Sequence, residues 1–149
     1  MQIKIRTLQK EEQEEAILLS LITFIECGKE DYDENGMKVF QSFIYDEDKI
    51  SELSFLGAFE ENKLIGTLAI RERDAHISLF FVRSDYHRIG IGRELFNTLI
   101  SKHKYDNITV NASTYAIPFY KSMGFKKLTE GQNHHGLTST PMKWECDGK

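Results

Sequence analysis

The chain has 149 residues, 40% hydrophobic and 28% charged, with 19 Lys and Arg against 23 Asp and Glu and a net charge of −4. Such a profile fits one ordinary globular domain and lacks the basic excess of a nucleic-acid binder. Cys27 and Cys146 lie far apart and in no metal-ligand spacing, so they read as free thiols of a reducing compartment, with no metal expected. The most apolar stretch, residues 16–25, is far shorter than the roughly 20 residues that span a bilayer. The first residues lack a signal-peptide pattern. The expected location is therefore the cytoplasm, with neither membrane nor nucleic acid as partner.

Residues 2–7 alternate Ile3 and Ile5 with Lys4 and Arg6, the period of a strand. A polar, acidic run over residues 9–15 precedes Ile17, Leu18, Leu21, Ile22 and Ile25 at helical spacing. This predicts a long amphipathic helix with acids in its early turns and Cys27-Gly28 at its end. Met37, Val39, Phe40, Phe43 and Ile44 predict a second helix after Asn35-Gly36. Residues 54–59 and 64–70 form a hairpin about a polar turn, with Gly66 marking a bulge or a close backbone approach. Residues 75–82, nearly all apolar, predict a central buried strand. Ile91, Leu95, Phe96, Leu99 and Ile100 predict a helix, residues 108–111 a strand, and residues 113–123 a helix ended by Gly124. A strand starting at Phe125, a polar loop over residues 131–140 holding His134 and His135, and a last strand over 142–145 complete the chain. A meander followed by two βα units implies a mixed sheet with helices on both faces, not a doubly wound dinucleotide fold.

The turn His87-Arg88-Ile89-Gly90-Ile91-Gly92-Arg93 sits between an apolar strand and an amphipathic helix. The first amides of a helix have no partners, and its dipole favours an anion there. Gly90 and Gly92 carry no Cβ to keep a ligand away, and Arg88 and Arg93 add charge. A phosphate or diphosphate is the natural guest. No Walker loop is present, and Arg93-Glu94-Leu95 after Gly92 excludes the GxGxxG dinucleotide fingerprint.

These residues resemble the GNAT superfamily of N-acetyltransferases, which carries [Q/R]-x-x-G-x-[G/A] after its fourth strand. His87 stands where Gln or Arg is usual. A second block, Val110-Asn111-Ala112-Ser113 followed by Ala116-Ile117-Pro118-Phe119-Tyr120-Lys121-Ser122-Met123-Gly124-Phe125, resembles the later motif N-x-S then A-x-x-F-Y-x-x-x-G-F. The resemblance is specific over about residues 75–125. It implies an α/β (α+β) fold, one domain over residues 1–149 with a mixed, mostly antiparallel sheet and helices on both faces. It also implies acetyl-CoA as cosubstrate. The amides of Arg88, Ile89, Gly90, Ile91, Gly92 and Arg93 would cradle the diphosphate of coenzyme A. The backbone near Phe81 and Val82 would pair with the pantetheine arm where the central strand and the 108–111 strand splay apart. Asn111 would also meet that arm, unless it is simply a strand-ending turn residue.

Tyr120 matches the tyrosine that protonates the departing thiolate in many members. His76 occupies the position of a glutamate base early in the fourth strand, and alternatively is a polar residue at a strand entrance. With both cysteines outside the two motif blocks, the expected chemistry is direct transfer to a primary amine in a ternary complex. A non-catalytic acyl-CoA-binding or sensing module of the same fold is the alternative, because the fourth strand lacks that glutamate. Nine acids against three lysines over residues 26–52 offer a wall for a cationic small-molecule or peptide amine, or are a solvated acidic surface. The oligomer is expected to be a monomer or a homodimer, the latter through strand 142–145.

Overall fold

The computed structural model of the chain describes residues 2–146. The alternating N-terminal segment forms β1 (Ile3–Thr7), which pairs antiparallel with β2 (Leu53–Glu60). β3 (Lys63–Arg71) and β4 (His76–Val82) continue the antiparallel meander. Between β1 and β2 the chain forms α1 (Gln13–Cys27), α2 (Glu34–Ile44) and a short α3 (Glu47–Ser51) that the sequence pattern did not reveal. After β4 come α4 (Ile91–Lys102), β5 (Asn107–Ala112), α5 (Ile117–Ser122), β6 (Lys126–Lys127), β7 (Gln132–His134) and β8 (Leu137–Glu145). The sheet has eight strands in the order β1-β2-β3-β4-β5-β8-β6, with β7 attached to β8. Among the described pairings only β4–β5 is parallel. The mixed, mostly antiparallel sheet is the one expected.

Two apolar clusters cover the sheet. Leu95, Phe96 and Leu99 of α4 pack with Leu56, Ile65 and Leu68 in one; Leu19 and Phe24 of α1 and Phe40 and Ile44 of α2 pack with Phe55, Phe59 and Leu79 in the other. Each such side chain, fully buried, contributes roughly 1.5–3 kcal/mol. The packing of α1 corrects the sequence reading. Its buried face is Ala16, Leu19, Ser20, Thr23 and Phe24, whereas Leu18, Ile22 and Ile25 point outward at 54%, 40% and 40% exposure. The helix is apolar nearly all round, so periodicity misassigned its face. Small and hydroxyl-bearing residues let its backbone approach the sheet, and buried Ser20 is satisfied by donating to the Ala16 carbonyl at 2.8 Å.

Two bulges shape the centre of the sheet. In β3, Ile65 is the extra residue beside Gly66, opposite Ala58 and Phe59, where a bulge was expected. In β4, Ser78 is the extra residue opposite Ala69 and Ile70. A bulge bends its strand and increases the local twist. The β4–β5 pairing stops at Ile77–Val110, immediately before Ser78, and the two strands diverge from there.

The end of the chain differs from the sequence reading. The segment expected as a polar loop is a hairpin of β7 and the first part of β8, turning at His135 and Gly136, both at positive φ (55° and 93°). The last strand begins at Leu137, five residues early. β7 covers its edge at Leu137–Ser139 and β6 covers it at Met142 and Lys143. The edge expected to pair between copies is therefore largely occupied within the chain. Gly36 at the start of α2 meets the same hairpin turn: a Cβ on Gly36 would overlap the Gly136 carbonyl oxygen, and one on Gly136 would overlap the Asp33 carboxylate. Asp33 caps α2 by accepting from the Gly36 amide at 2.9 Å and donates its own amide to the Gly136 carbonyl at 3.1 Å.

Candidate active site

The divergence of β4 from β5 leaves one edge of β4 unpaired from Ser78 to Val82. The amide of Arg83 donates to the Ile65 carbonyl at 2.8 Å. Backbone groups alternate sides along an antiparallel strand, so those of Phe81 turn towards β3 and those of Phe80 and Val82 turn into the gap. Of the two residues expected to offer backbone there, Val82 turns into the gap, although its carbonyl already accepts from His87. Phe80 is the neighbour that sequence reasoning missed, because the alternation depends on pairing register. The side chain of Phe81 still lines the gap.

At one end of the gap lies the turn into α4. Arg88 and Gly90 both have positive φ, 66° and 92°. Gly90 is the N-cap residue, and a Cβ there would meet nothing within 4 Å. Among the described residues no side chain caps the helix, so the amides of Ile91, Gly92 and Arg93 are left for an anion. Arg88 and Ile89 are exposed beside them. Gly92 is glycine for a different reason: a Cβ would lie 2.8 Å from the Phe119 ring. Arg93 donates to Ser122 Oγ at 2.9 Å, tying the first turn of α4 to the end of α5. His87, at the position of the usual Gln or Arg, folds back. Its Nε2 donates to the Val82 carbonyl at 2.6 Å, and its Nδ1 lies 3.0 Å from the Tyr115 hydroxyl.

This turn, Phe80, Val82 and the Tyr115–Phe119 segment line a cleft of about 570 Å³. A second cavity, of about 420 Å³, lies beyond it, with His76, Asn111 and Tyr120 in its walls. Phe24, Phe80, Phe81, Ser113 and Ala116 line both, so the two meet in the β4–β5 gap. Cys27 also lines the larger cleft, although it lies outside both motif blocks in sequence. Burial first, and Glu26 second, raise its thiol above its ordinary pKa, which keeps it protonated and a poor nucleophile.

Tyr120 is buried, with its ring edge-to-face against Phe80, Phe119 and Phe125 at 6.0, 5.5 and 5.2 Å. The amide of Phe125 donates to the Tyr120 carbonyl at 3.0 Å and that of Gly124 to the Lys121 carbonyl at 3.0 Å, with Gly124 at φ 101°. That is a Schellman stop, and it explains why the tyrosine, glycine and phenylalanine recur at fixed spacing: the stop clamps the tyrosine backbone. The hydroxyl bonds no described side chain or backbone group, and burial pushes its pKa well above the usual phenol value. It stays protonated at any physiological pH.

His76 lies half-buried at the start of β4, with Nδ1 2.8 Å from Thr109 Oγ1. Burial first, and Arg71 second, hold its pKa below the usual value, while Asp74 acts in the opposite direction. The ring is neutral near pH 7. Arg71 itself is bound bidentately to Asp74 at 2.9 and 2.7 Å. Asn111 is exposed at the gap end of β5 and His134 lines the far cavity from β7, whereas His135 occupies the hairpin turn. Of the nine acids over residues 26–52, only Asp31 lines this cavity. Among the described residues no three His, Cys, Asp or Glu side chains gather as a metal site, and no helix is long and apolar enough to cross a membrane.

A sheet parted between two parallel strands, with an anion cradle at one end of the parting and a second cavity at the other, is the frame of an acyltransferase that brings a phosphate-bearing donor to an acceptor. The chain belongs to the GNAT acetyltransferase family, whose domain, described as "Acetyltransferase (GNAT) domain", matches residues 28–146. The resemblance read from the two motif blocks is thereby established. Among solved structures the chain is similar to a GCN5-related N-acetyltransferase of Rhodopseudomonas palustris, with a TM-score of 0.80 and 21% identity over 98% of this chain and 97% of that one. It is similar to the PaiA N-acetyltransferase of Thermoplasma acidophilum in complex with coenzyme A, with a TM-score of 0.75 and 21% identity over 98% and 100% of the two chains. A GNAT family acetyltransferase of Elizabethkingia anophelis with acetyl-CoA bound aligns with a TM-score of 0.63 and 16% identity over 97% and 98%. No curated protein matches the chain by sequence.

Proposed function

We propose that this chain transfers an acetyl group from acetyl-CoA to a primary amine by direct attack in a ternary complex. The observation that carries the reading is the continuity of the site: the anion cradle, the free β4 edge and the acceptor cavity meet at Phe80, Phe81, Ser113 and Ala116. The open space at Gly90 fits a diphosphate, held by the amides of residues 88–93 with Arg88 alongside. The backbone of Phe80 and the amide of Val82, with Asn111 across the gap, suit the amides of a pantetheine arm, and Phe81 packs against it. The coenzyme A and acetyl-CoA held by the Thermoplasma and Elizabethkingia proteins support this donor. When bound, acetyl-CoA supplies an activated acyl group and a thiol leaving group.

His76 takes the proton that the acceptor ammonium must lose before its nitrogen attacks. In the tautomer whose Nδ1–H donates to Thr109 Oγ1, Nε2 carries the lone pair that receives it, directly or through one water. An amide on the free β4 edge donates to the carbonyl oxygen as charge develops there. Tyr120 gives its hydroxyl proton to the departing sulfur. Burial raises the proton affinity of that sulfur as it raises that of the phenol, so the transfer remains matched. Cys27, held protonated, takes no part, and no acyl-enzyme forms.

Acetyl-CoA and a panel of primary amines, followed by free-thiol release and by mass of the amine, test the reading. An amine heavier by one acetyl group, formed at the rate of thiol release, is the expected result. Coenzyme A binding with no product on any amine would favour the sensing module instead.

A further inference from the structure

Resting on the transferase reading, we propose that the acceptor is a primary monoamine with an aromatic or aliphatic body, and that Asp31 receives its ammonium group. The other eight acids of residues 26–52 lie away from the cavity lining, and four of them are engaged elsewhere. Asp33 and Asp46 cap helices, Glu52 pairs with Arg73 at 3.2 Å, and Glu26 accepts from Ser84 at 3.0 Å. Asp31 differs from them. It is 3% exposed, it lines the acceptor cavity, and among the described residues it forms no ion pair. Its Oδ1 accepts from the Thr114 hydroxyl at 2.5 Å and its Oδ2 from the Thr114 amide at 2.8 Å. Two neutral donors orient the carboxylate and leave each oxygen a free lone pair.

A buried carboxylate with no cation is costly, and a cation brought by the ligand offsets that cost; Asp31 thus acts in binding the ammonium, and the nitrogen leaves the carboxylate as it gives its proton to His76 and attacks. Thr114 follows Ser113, which lines both cavities, so the carboxylate stands close to the junction where transfer takes place.

The remaining walls decide the body of the acceptor. Phe24 and Phe40 stack at 4.0 Å, and Val39, Phe43 and Leu137 continue an apolar lining. A second ammonium on the acceptor would be desolvated there without a partner, which disfavours polyamines. Among the described residues lining the cavity, an acceptor carboxylate finds no free Lys or Arg, because Arg71 is already bound bidentately by Asp74. The volume of about 420 Å³ falls within the range of small-molecule pockets.

Calorimetric titration of 2-phenylethylamine, spermidine and phenylalanine into the full chain, with and without coenzyme A, tests the assignment. The expected result is 2-phenylethylamine binding at least about tenfold tighter than the other two. Asp31→Asn, which keeps the shape of the side chain, should weaken it about tenfold or more while leaving the Kd for coenzyme A unchanged, and should raise KM more than it lowers kcat. If Asp31→Asn does not fold, Phe43→Ser serves, with the same loss of preference for 2-phenylethylamine expected. Tighter binding of spermidine or phenylalanine, no binding of 2-phenylethylamine, or unaltered selectivity in both variants would overturn the proposal. Acetylation of spermidine in preference to 2-phenylethylamine would remove this acceptor class and leave the transferase reading standing. Binding of 2-phenylethylamine as expected, with no amine acetylated, would do the reverse.

Discussion

Replacing Tyr120 by Phe separates catalysis from packing. The substitution removes one oxygen and keeps the ring, so the edge-to-face contacts with Phe80, Phe119 and Phe125 persist. The helix stop is made by backbone amides and also persists. Since the hydroxyl bonds no described protein group and lies in a cavity wall, its removal should change stability by less than about 1 kcal/mol. For a chain of this length that is a Tm shift of no more than about 4 °C. Loss of a general acid should lower kcat by about 10²–10⁴, equivalent to roughly 3–5 kcal/mol of barrier. Thermal denaturation, calorimetry with coenzyme A and thiol release measure the three quantities on one preparation. An unchanged kcat would refute the role of the phenol. A large fall in Tm would refute the argument that its oxygen is free of structural duty.

The depressed pKa of His76 places the acidic limb of kcat/KM below the ordinary histidine value of about 6.5, and His76→Gln should lower the rate and abolish that limb in a pH–rate profile. The same group is linked to folding: because the unfolded chain binds its proton first, stability falls as pH drops below about 6.5 and levels off below the folded-state pKa, so His76→Gln should flatten Tm against pH in that window. Gly90→Ala puts a side chain in the left-handed region at a cost of about 1–2 kcal/mol and into the open cradle; a weaker Kd for coenzyme A is expected, with the response of kcat to saturating donor largely kept.

The meander, α4 and the helix stop at Gly124 were legible because one signal dominated each: alternation in β1, a continuous apolar run in β4, and a glycine after a periodic segment. The buried face of α1 was not, since Ile17, Leu18, Leu21, Ile22 and Ile25 outnumber the small residues that the sheet selects by distance of approach. β7 was illegible because its residues are polar and exposed on both sides, and its turn uses His135-Gly136 where Asn-Gly or Asp-Gly would have been the signal. For the candidate site, the turn into α4 and Tyr120 were legible as candidates from motif and position. Phe80 was missed because facing the gap is a property of register. Asp31 was hidden among nine acids and is singled out only by Thr114, eighty-three positions away.

The contact of Gly36 with Gly136 joins the two sides of the cavity proposed for the acceptor backbone to backbone. Val39, Phe40 and Phe43 on α2 form one side, and His134, Leu137 and Thr138 on the hairpin form the other. With neither glycine carrying a side chain and the Asp33 carboxylate held against both, the spacing between the sides is set by main-chain contact and by that one cap. Diversification of such a site towards new acceptors must therefore proceed by exchanging individual wall residues on a constant frame. Insertions or deletions at either glycine would detach both walls at once.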